Sequence, residues 1–267
     1  MSIKLFQRNP HNLSPDARST HDFACTVCRE EVNLAPFEQR LDFDGRLSDL
    51  WMCLNCHSIL NATDLRRIRS GDNDESLQAM SSDQFYAVDD AFLENLQQSI
   101  DQNGMIDFMI QQCPDLKRGV LIDFGAGRGI IAAAASKWFD RVYAAELSLN
   151  VLRVVHGRMP NRDKIVLTND FMSIPEGFDA IASMHVLEHL PNMRDLLDLL
   201  TSKLNPGGAI FFQVPMLRKD YMVSVHYTFF NEISARALAR ELGLTVTGVW
   251  FDTNLDFLTC IFRKPRS

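Results

Sequence analysis

The chain has 267 residues, 46% hydrophobic and 23% charged, a balance that supports a sizeable buried core and excludes a disordered or fibrous chain. Its net charge of −7 is shared by the segments before and after residue 81, which argues against a broadly basic nucleic-acid surface. No apolar run approaches membrane-spanning length and no secretory leader opens the chain, so a soluble, cytoplasmic protein is expected.

Residues 1–22 read as a polar lead-in broken by Pro10 and Pro15. Two C-x-x-C pairs follow, Cys25/Cys28 and Cys53/Cys56, with 24 residues between them. Each pair can fold back in a tight turn that aims both sulfurs at one centre, and four thiolates suit tetrahedral Zn²⁺. A unit of this size has too little core to fold without such a staple, so a structural zinc module is expected over 23–65. Between the pairs, alternating apolar positions and Asp44-Gly45 predict a hairpin. His57 beside Cys56 is left outside the ligand set, because four sulfurs already close the site. Arg66, Arg67 and Arg69 open a polar linker over 66–83 and read as a solvated helix end. Cys113 and Cys260 stand in apolar surroundings and read as buried thiols.

From 84 to 267 the pattern is that of one α/β domain. Phe85, Val88, Phe92, Leu96 and Ile100 predict a helix, broken near Asn103-Gly104 before a second short one. The hydroxyl of Tyr86 is a candidate ligand contact. Val120-Leu121-Ile122-Asp123 reads as a strand that enters the turn Phe124-Gly125-Ala126-Gly127-Arg128-Gly129 and then the helix-forming run Ile130 to Ala135. Glycines at such a turn permit positive φ and let a ligand approach bare backbone, as in several nucleotide-binding folds. Strands are predicted at 141–146, 165–168, 178–184 and 209–214, with a helix from Ser148 to Arg158 and another from Pro191 to Leu204. A helix capped by Asn231 runs to Leu242. The last two strands, 244–251 and 257–263, are too close in sequence to be anything but antiparallel.

From about residue 84 to 264 this layout resembles the class I methyltransferases that use S-adenosylmethionine. Asp123-Phe124-Gly125-Ala126-Gly127-Arg128-Gly129 matches the family's acidic-x-Gly-x-Gly-x-Gly turn. The resemblance implies a Rossmann-like seven-stranded sheet with its last strand antiparallel, beside the small zinc-ribbon-like N-terminal module. It also implies that Asp123, Gly125, Gly127 and Gly129 hold the cofactor, and that Glu146 accepts the ribose hydroxyls. Asp170 would lie near the adenine amine, with Leu147 or Phe171 against the ring.

His185-Val186-Leu187-Glu188-His189 fits the H-x-x-E-H pattern of some zinc peptidases, but there both histidines share a long helix, and no third ligand is evident nearby in the sequence. It is read instead as the segment lining the cofactor's methionine part and the acceptor pocket, which places His185 in both. With the four-cysteine module and the aromatic-rich opening helix, H-V-L-E-H-L resembles sugar methyltransferases acting on nucleotide-linked deoxysugars. Those proteins place a histidine shortly after strand five, where His226 stands here. Carbon-methylating members precede it with a glutamate, where this chain has Val225.

The expected function is methyl transfer from S-adenosylmethionine to a small polar acceptor, a sugar or related metabolite, with His226 as candidate general base and His185, Glu188 and Tyr86 as further pocket residues. Two alternatives make different demands. A methyltransferase of RNA or protein would use the zinc module for recognition and needs a basic, aromatic face on it. A non-catalytic scaffold would keep cofactor binding without turnover.

Overall fold

The computed structural model describes residues 23–42, 45–70, 88–170, 174, 177–218, 221–223, 225–252 and 254–266. The expectations for residues 1–22 and for Phe85, Tyr86 and Phe171 fall outside them.

Two sheets organise the chain. The smaller begins with β1 (Leu34–Leu41) and β2 (Leu47–Cys53), an antiparallel hairpin whose turn carries Gly45 at φ +78°, then β3 (Ile59–Asn61) and helix α1 (Ala62–Arg69). α1 starts on Asn61, whose side chain accepts from the Asp64 N–H, and it crosses the predicted module boundary at residue 65.

Three helices, α2 (Asp90–Glu94), α3 (Leu96–Gln102) and α4 (Met105–Gln112), precede the larger sheet. The chain then alternates through β4 (Val120–Phe124), α5 (Ile130–Ala135), β5 (Arg141–Ala145), α6 (Leu149–His156), β6 (Ile165–Thr168) and β7 (Phe178–Met184). It continues with α7 (Met193–Lys203), β8 (Leu204–Pro215), β9 (Thr228–Phe229), α8 (Glu232–Glu241), β10 (Thr245–Asp252) and β11 (Phe257–Arg263).

The larger sheet has the order β10-β11-β8-β7-β4-β5-β6. The five strands from β8 to β6 are parallel, and β11 is antiparallel to both its neighbours, as expected from its short connection to β10. Central strands covered on both faces must be apolar on both. Leu121, Ala182 and Phe211 face a layer containing α3, α4 and α5, while Ile122, Ile181 and Phe212 face α7, α8 and the small sheet. Asn231 caps α8 through a reciprocal pair with Ser234, as its sequence position predicts.

The helix predicted through Phe92, Leu96 and Ile100 is split at Asn95, and three further differences from the sequence reading bear on the site. α7 begins at Met193 rather than Pro191, after a 3₁₀ turn at Leu187–His189. β8 begins at Leu204, because backbone pairing with β7 starts at Phe178↔Leu204 and runs through Pro206-Gly207-Gly208 with an irregularity in register. The small sheet, finally, is not closed within 23–65. Its fourth strand is β9, which pairs with β3 through Ile59↔Phe229 and Leu60↔Thr228. Arg29 reinforces the join with contacts to Asp195 and Asp198 on α7, and Arg194 donates to the Val27 carbonyl.

Candidate active site

The four predicted cysteines converge. Cys25 and Cys56 sulfurs lie 3.5 Å apart, as do those of Cys28 and Cys53, and all four lie within 4.8 Å of one another. Each C-x-x-C closes a matching turn: the Arg29 N–H donates to the Cys25 carbonyl and the His57 N–H to the Cys53 carbonyl, with Arg29 and His57 both at positive φ. Ser58 Oγ lies 3.2 Å from both the Cys25 and Cys56 sulfurs. Sharing protons with Cys28 pushes the Cys25 thiol up, and the same contact pushes Cys28 down. His57 is exposed, outside the cluster as expected. The donor set and its spacing are those of a tetrahedral metal centre.

The glycine turn sits at the C-terminal end of β4. Gly125, Gly127 and Gly129 all have positive φ, at 75°, 52° and 78°. A Cβ on Gly125 would lie 2.3 Å from Cγ2 of Val186, and one on Gly129 would lie 2.3 Å from Cε of Met159. The turn is therefore packed from both sides, most rigidly at Gly125, where the neighbour is the short, branched Val186. Asp123 is buried and accepts from the Ala132 N–H on α5 at 2.9 Å. Burial pushes its pKa up to about 7, with the Glu146 charge adding to the rise and the Ala132 bond opposing it.

Glu146 follows β5 directly and is 6% exposed. Its two oxygens accept from the Gly127 and Leu147 N–H groups at 2.8 and 2.7 Å, which fixes the carboxylate against the turn, while burial raises its pKa. The Ser148 N–H is a third backbone donor to this carboxylate, and lone-pair capacity remains for a ligand hydroxyl. Leu147 is exposed beside it, and Asp170 lies exposed after β6. A carboxylate locked at a glycine turn, with a bare apolar side chain next to it, fits the adenosine part of S-adenosylmethionine.

The segment after β7 brings the remaining candidates together. His185 adopts positive φ at 55°, and its Nε2 lies 3.1 Å from Gln213 Oε1. Its Nδ1 is 3.7 Å from Glu188 Oε1, and Nε2 of His189 is 3.8 Å from the same oxygen. The rings of His189 and His226 meet edge to face at 4.5 Å. Burial, then the His189 charge, depresses His226 to about 4, and burial also lowers His189. Burial of Glu188 works to raise its pKa, but the surrounding imidazoles outweigh it and leave it lowered. Val186, in the same segment, is the side chain that packs over Gly125, so this polar group adjoins the turn.

A cavity of about 450 Å³ reaches Gln213, the hydrogen-bond partner of His185, and is lined also by Met105, Phe108, Trp250, Asn254 and Thr259 among others. Phe108 and Trp250 meet edge to face at 5.0 Å. Gln213 donates to Thr259 Oγ1 at 2.8 Å across the β8–β11 pair while its carbonyl oxygen faces His185. The sequence reading missed Gln213, Thr259 and Trp250. Two polar residues in otherwise apolar central strands were the available signal. It also set His189 aside with the peptidase motif, and the absence of a third ligand is corrected here: the loop after β8 brings His226 to Glu188 and His189.

A family model described as a methyltransferase domain matches residues 91–248. A ubiquinone biosynthesis O-methyltransferase of Xylella fastidiosa is 30% identical over 192 residues, covering 58% of this chain and 78% of that protein. A protein of the same description from Colwellia psychrerythraea is 29% identical over 39% of this chain, which spans only 46% of its length. In fold, the chain is similar to one from the solved complex between the Haloferax volcanii Trm112 methyltransferase activator and the putative methyltransferase. That match has a TM-score of 0.53 and 15% identity, and covers 67% of this chain and 96% of that one. With its seven-stranded sheet, glycine turn and strand-end acids, the chain belongs to the methyltransferase-domain family and is an S-adenosylmethionine-dependent methyltransferase.

Proposed function

We propose that the chain methylates an oxygen of a small, hydroxylated ring compound, sugars included, seated against Phe108 and Trp250. The observation that carries this reading is the adjacency of three features: the glycine turn under Val186, the His185–Glu188–His189–His226 group, and the cavity joined to it through Gln213. Aromatic walls favour the flat or C–H face of a ring, and an amide and a hydroxyl can orient its polar edge. The O-methyltransferase description of the Xylella relative supports oxygen as the acceptor atom.

Bound S-adenosylmethionine supplies an activated sulfonium methyl group, so the protein's task is to align the acceptor and take up its proton. Asp123, Gly125, Gly127, Gly129, Glu146, Leu147 and Asp170 are the residues proposed to hold the cofactor. His226 is the candidate base from the sequence. Its Nδ1 lies 2.7 Å from the Tyr221 carbonyl, which leaves Nε2 with a free lone pair, and His185 is the more exposed imidazole of the group. Zn²⁺ in the four-cysteine cluster is proposed as a structural staple.

The charges on the small sheet favour a small acceptor over RNA. Arg29 is held by Asp195 and Asp198, Arg66 lies over the Phe23 and Trp51 rings, and Arg46 and Arg67 pair with buried Asp64. These cations are committed to the fold rather than grouped on an open face. Methyl-labelled S-adenosylmethionine incubated with fractionated cell extract tests the reading. Label is expected in hydroxylated small molecules, and label confined to RNA or protein would overturn it.

A further inference from the structure

We infer that Glu188, His189 and His226 form a binding site for a divalent transition-metal cation, distinct from the four-cysteine cluster. One ligating atom from each of the three lies within 4.8 Å of the other two; Glu188 and His226 are buried, and the His189 side chain is 12% exposed. They come from two segments, the 3₁₀ turn after β7 and the loop after β8, so local sequence alone does not bring them together.

Two observations point to a cation site rather than to a packed polar cluster. First, Glu188 is 1% exposed, and neither of its carboxylate oxygens accepts a hydrogen bond from the described residues. A buried carboxylate without partners is costly, and its closest imidazole nitrogens stand at 3.7 and 3.8 Å, beyond hydrogen-bond reach. Second, both histidines are oriented as ligands. Nδ1 of His189 lies 3.0 Å from the Val225 carbonyl and Nδ1 of His226 lies 2.7 Å from the Tyr221 carbonyl. A carbonyl oxygen only accepts, so Nδ1 carries the proton in each ring and Nε2 is left bare, the arrangement in which outer hydrogen bonds fix metal-ligating imidazoles.

Two imidazoles and one carboxylate suit Zn²⁺, Fe²⁺, Mn²⁺ or Co²⁺ and leave coordination positions for water or for oxygens of an acceptor. Ligands at about 2.1 Å from one ion lie no more than about 4.2 Å apart, so a small rotation of these side chains closes the site. In the metal-bound state His226 is a ligand, and its sequence-predicted role as base passes to the exposed His185 or to solvent. The inference rests on the proposed oxygen acceptor only for what fills the open positions. Cation binding itself does not depend on it.

The test is titration with Mn²⁺ of the full chain carrying a single equivalent of Zn²⁺, which the four thiolates take first, followed by loss of the free-ion electron paramagnetic resonance signal. Mn²⁺ prefers nitrogen and oxygen donors, so it reports this site and not the cysteines. One equivalent should bind, broaden the imidazole NMR signals of His189 and His226, and bind at least about 10-fold more weakly to Glu188→Gln and to His226→Gln. Retained binding of S-adenosylhomocysteine by each variant checks its fold, and the ring broadening in the unmodified chain decides the matter if a variant does not fold. No binding below about 1 mM, or binding that leaves both rings sharp, overturns the site. Methyl transfer without cation binding would sink this inference alone. Cation binding with no transfer to a small hydroxylated molecule would sink the proposed function and leave the site standing.

Discussion

Thr26, between the first two cysteines, and Thr228, on β9, share a 2.6 Å hydrogen bond between positions 202 residues apart, both side chains buried. This contact lies two residues from His226, so the cysteine cluster and the loop that carries the site are one mechanical unit. Thr228→Val should leave the Thr26 hydroxyl without this partner and cost about 1–2 kcal/mol. Denaturant unfolding measures it. A change below about 0.3 kcal/mol would mean that the two segments are not coupled by this bond.

The same coupling sets the effect of metal removal. Chelation, or Cys53→Ser, should lower the unfolding temperature and abolish methyl transfer together, because the shared sheet loses its staple. Full activity and an unchanged melting curve after verified zinc loss would contradict a structural role.

At the glycine turn, Gly125→Ala places a Cβ where Val186 sits and imposes positive φ on alanine, a strain of about 1–2 kcal/mol before the clash. Affinity for S-adenosylhomocysteine should fall at least about 10-fold, and adding Val186→Ala should restore part of it. Calorimetric titration of both variants checks this, and a single variant that binds like the parent would remove the turn from the cofactor site.

Glu146→Ala should weaken cofactor binding by about 10- to 100-fold, since it removes the carboxylate proposed for the ribose and leaves the Gly127 N–H without its acceptor. Glu146→Gln, which keeps an acceptor for that N–H, should retain the fold and still bind more weakly than the parent.

Asp123 gives a pH dependence with a definite sign. A carboxyl whose folded pKa is raised to about 7 binds its proton more tightly in the folded chain than in the unfolded one. Its contribution therefore favours folding below about pH 4 and is lost as the pH rises toward 7, by up to about 1.4 kcal/mol per unit. Asp123→Asn cannot ionise, so its stability relative to the parent should improve over that interval. Parallel stability curves for the two proteins from pH 4 to 7 would count against a buried, proton-binding Asp123.

The parallel sheet was legible in the sequence because each βα unit announces itself. The run Val120–Phe124 ends at Gly125 and Phe178–Met184 at His185, and the short 252–256 turn permits only an antiparallel pair. The cysteine cluster was legible because C-x-x-C spacing fixes local geometry. β9 was not, since two residues carry no period, and Thr228 and Phe229 become a strand only because β3 offers them an edge. His226 was flagged as a lone histidine after strand five, but its meeting with His189 depends on the path of the intervening loop, which no local pattern encodes. Gln213 and Thr259 were readable in principle as polar residues in buried strands. Their pairing across β8 and β11 requires the register.

The most direct test of the proposed function is the fate of a labelled methyl group from S-adenosylmethionine, comparing the parent chain with His226→Ala. The parent should place label on an oxygen of a small hydroxylated molecule, and the variant should do so at least about 10²-fold more slowly while binding the cofactor normally. Cofactor binding without any transfer would contradict the proposed function, and equal rates for the two proteins would remove His226 from the mechanism.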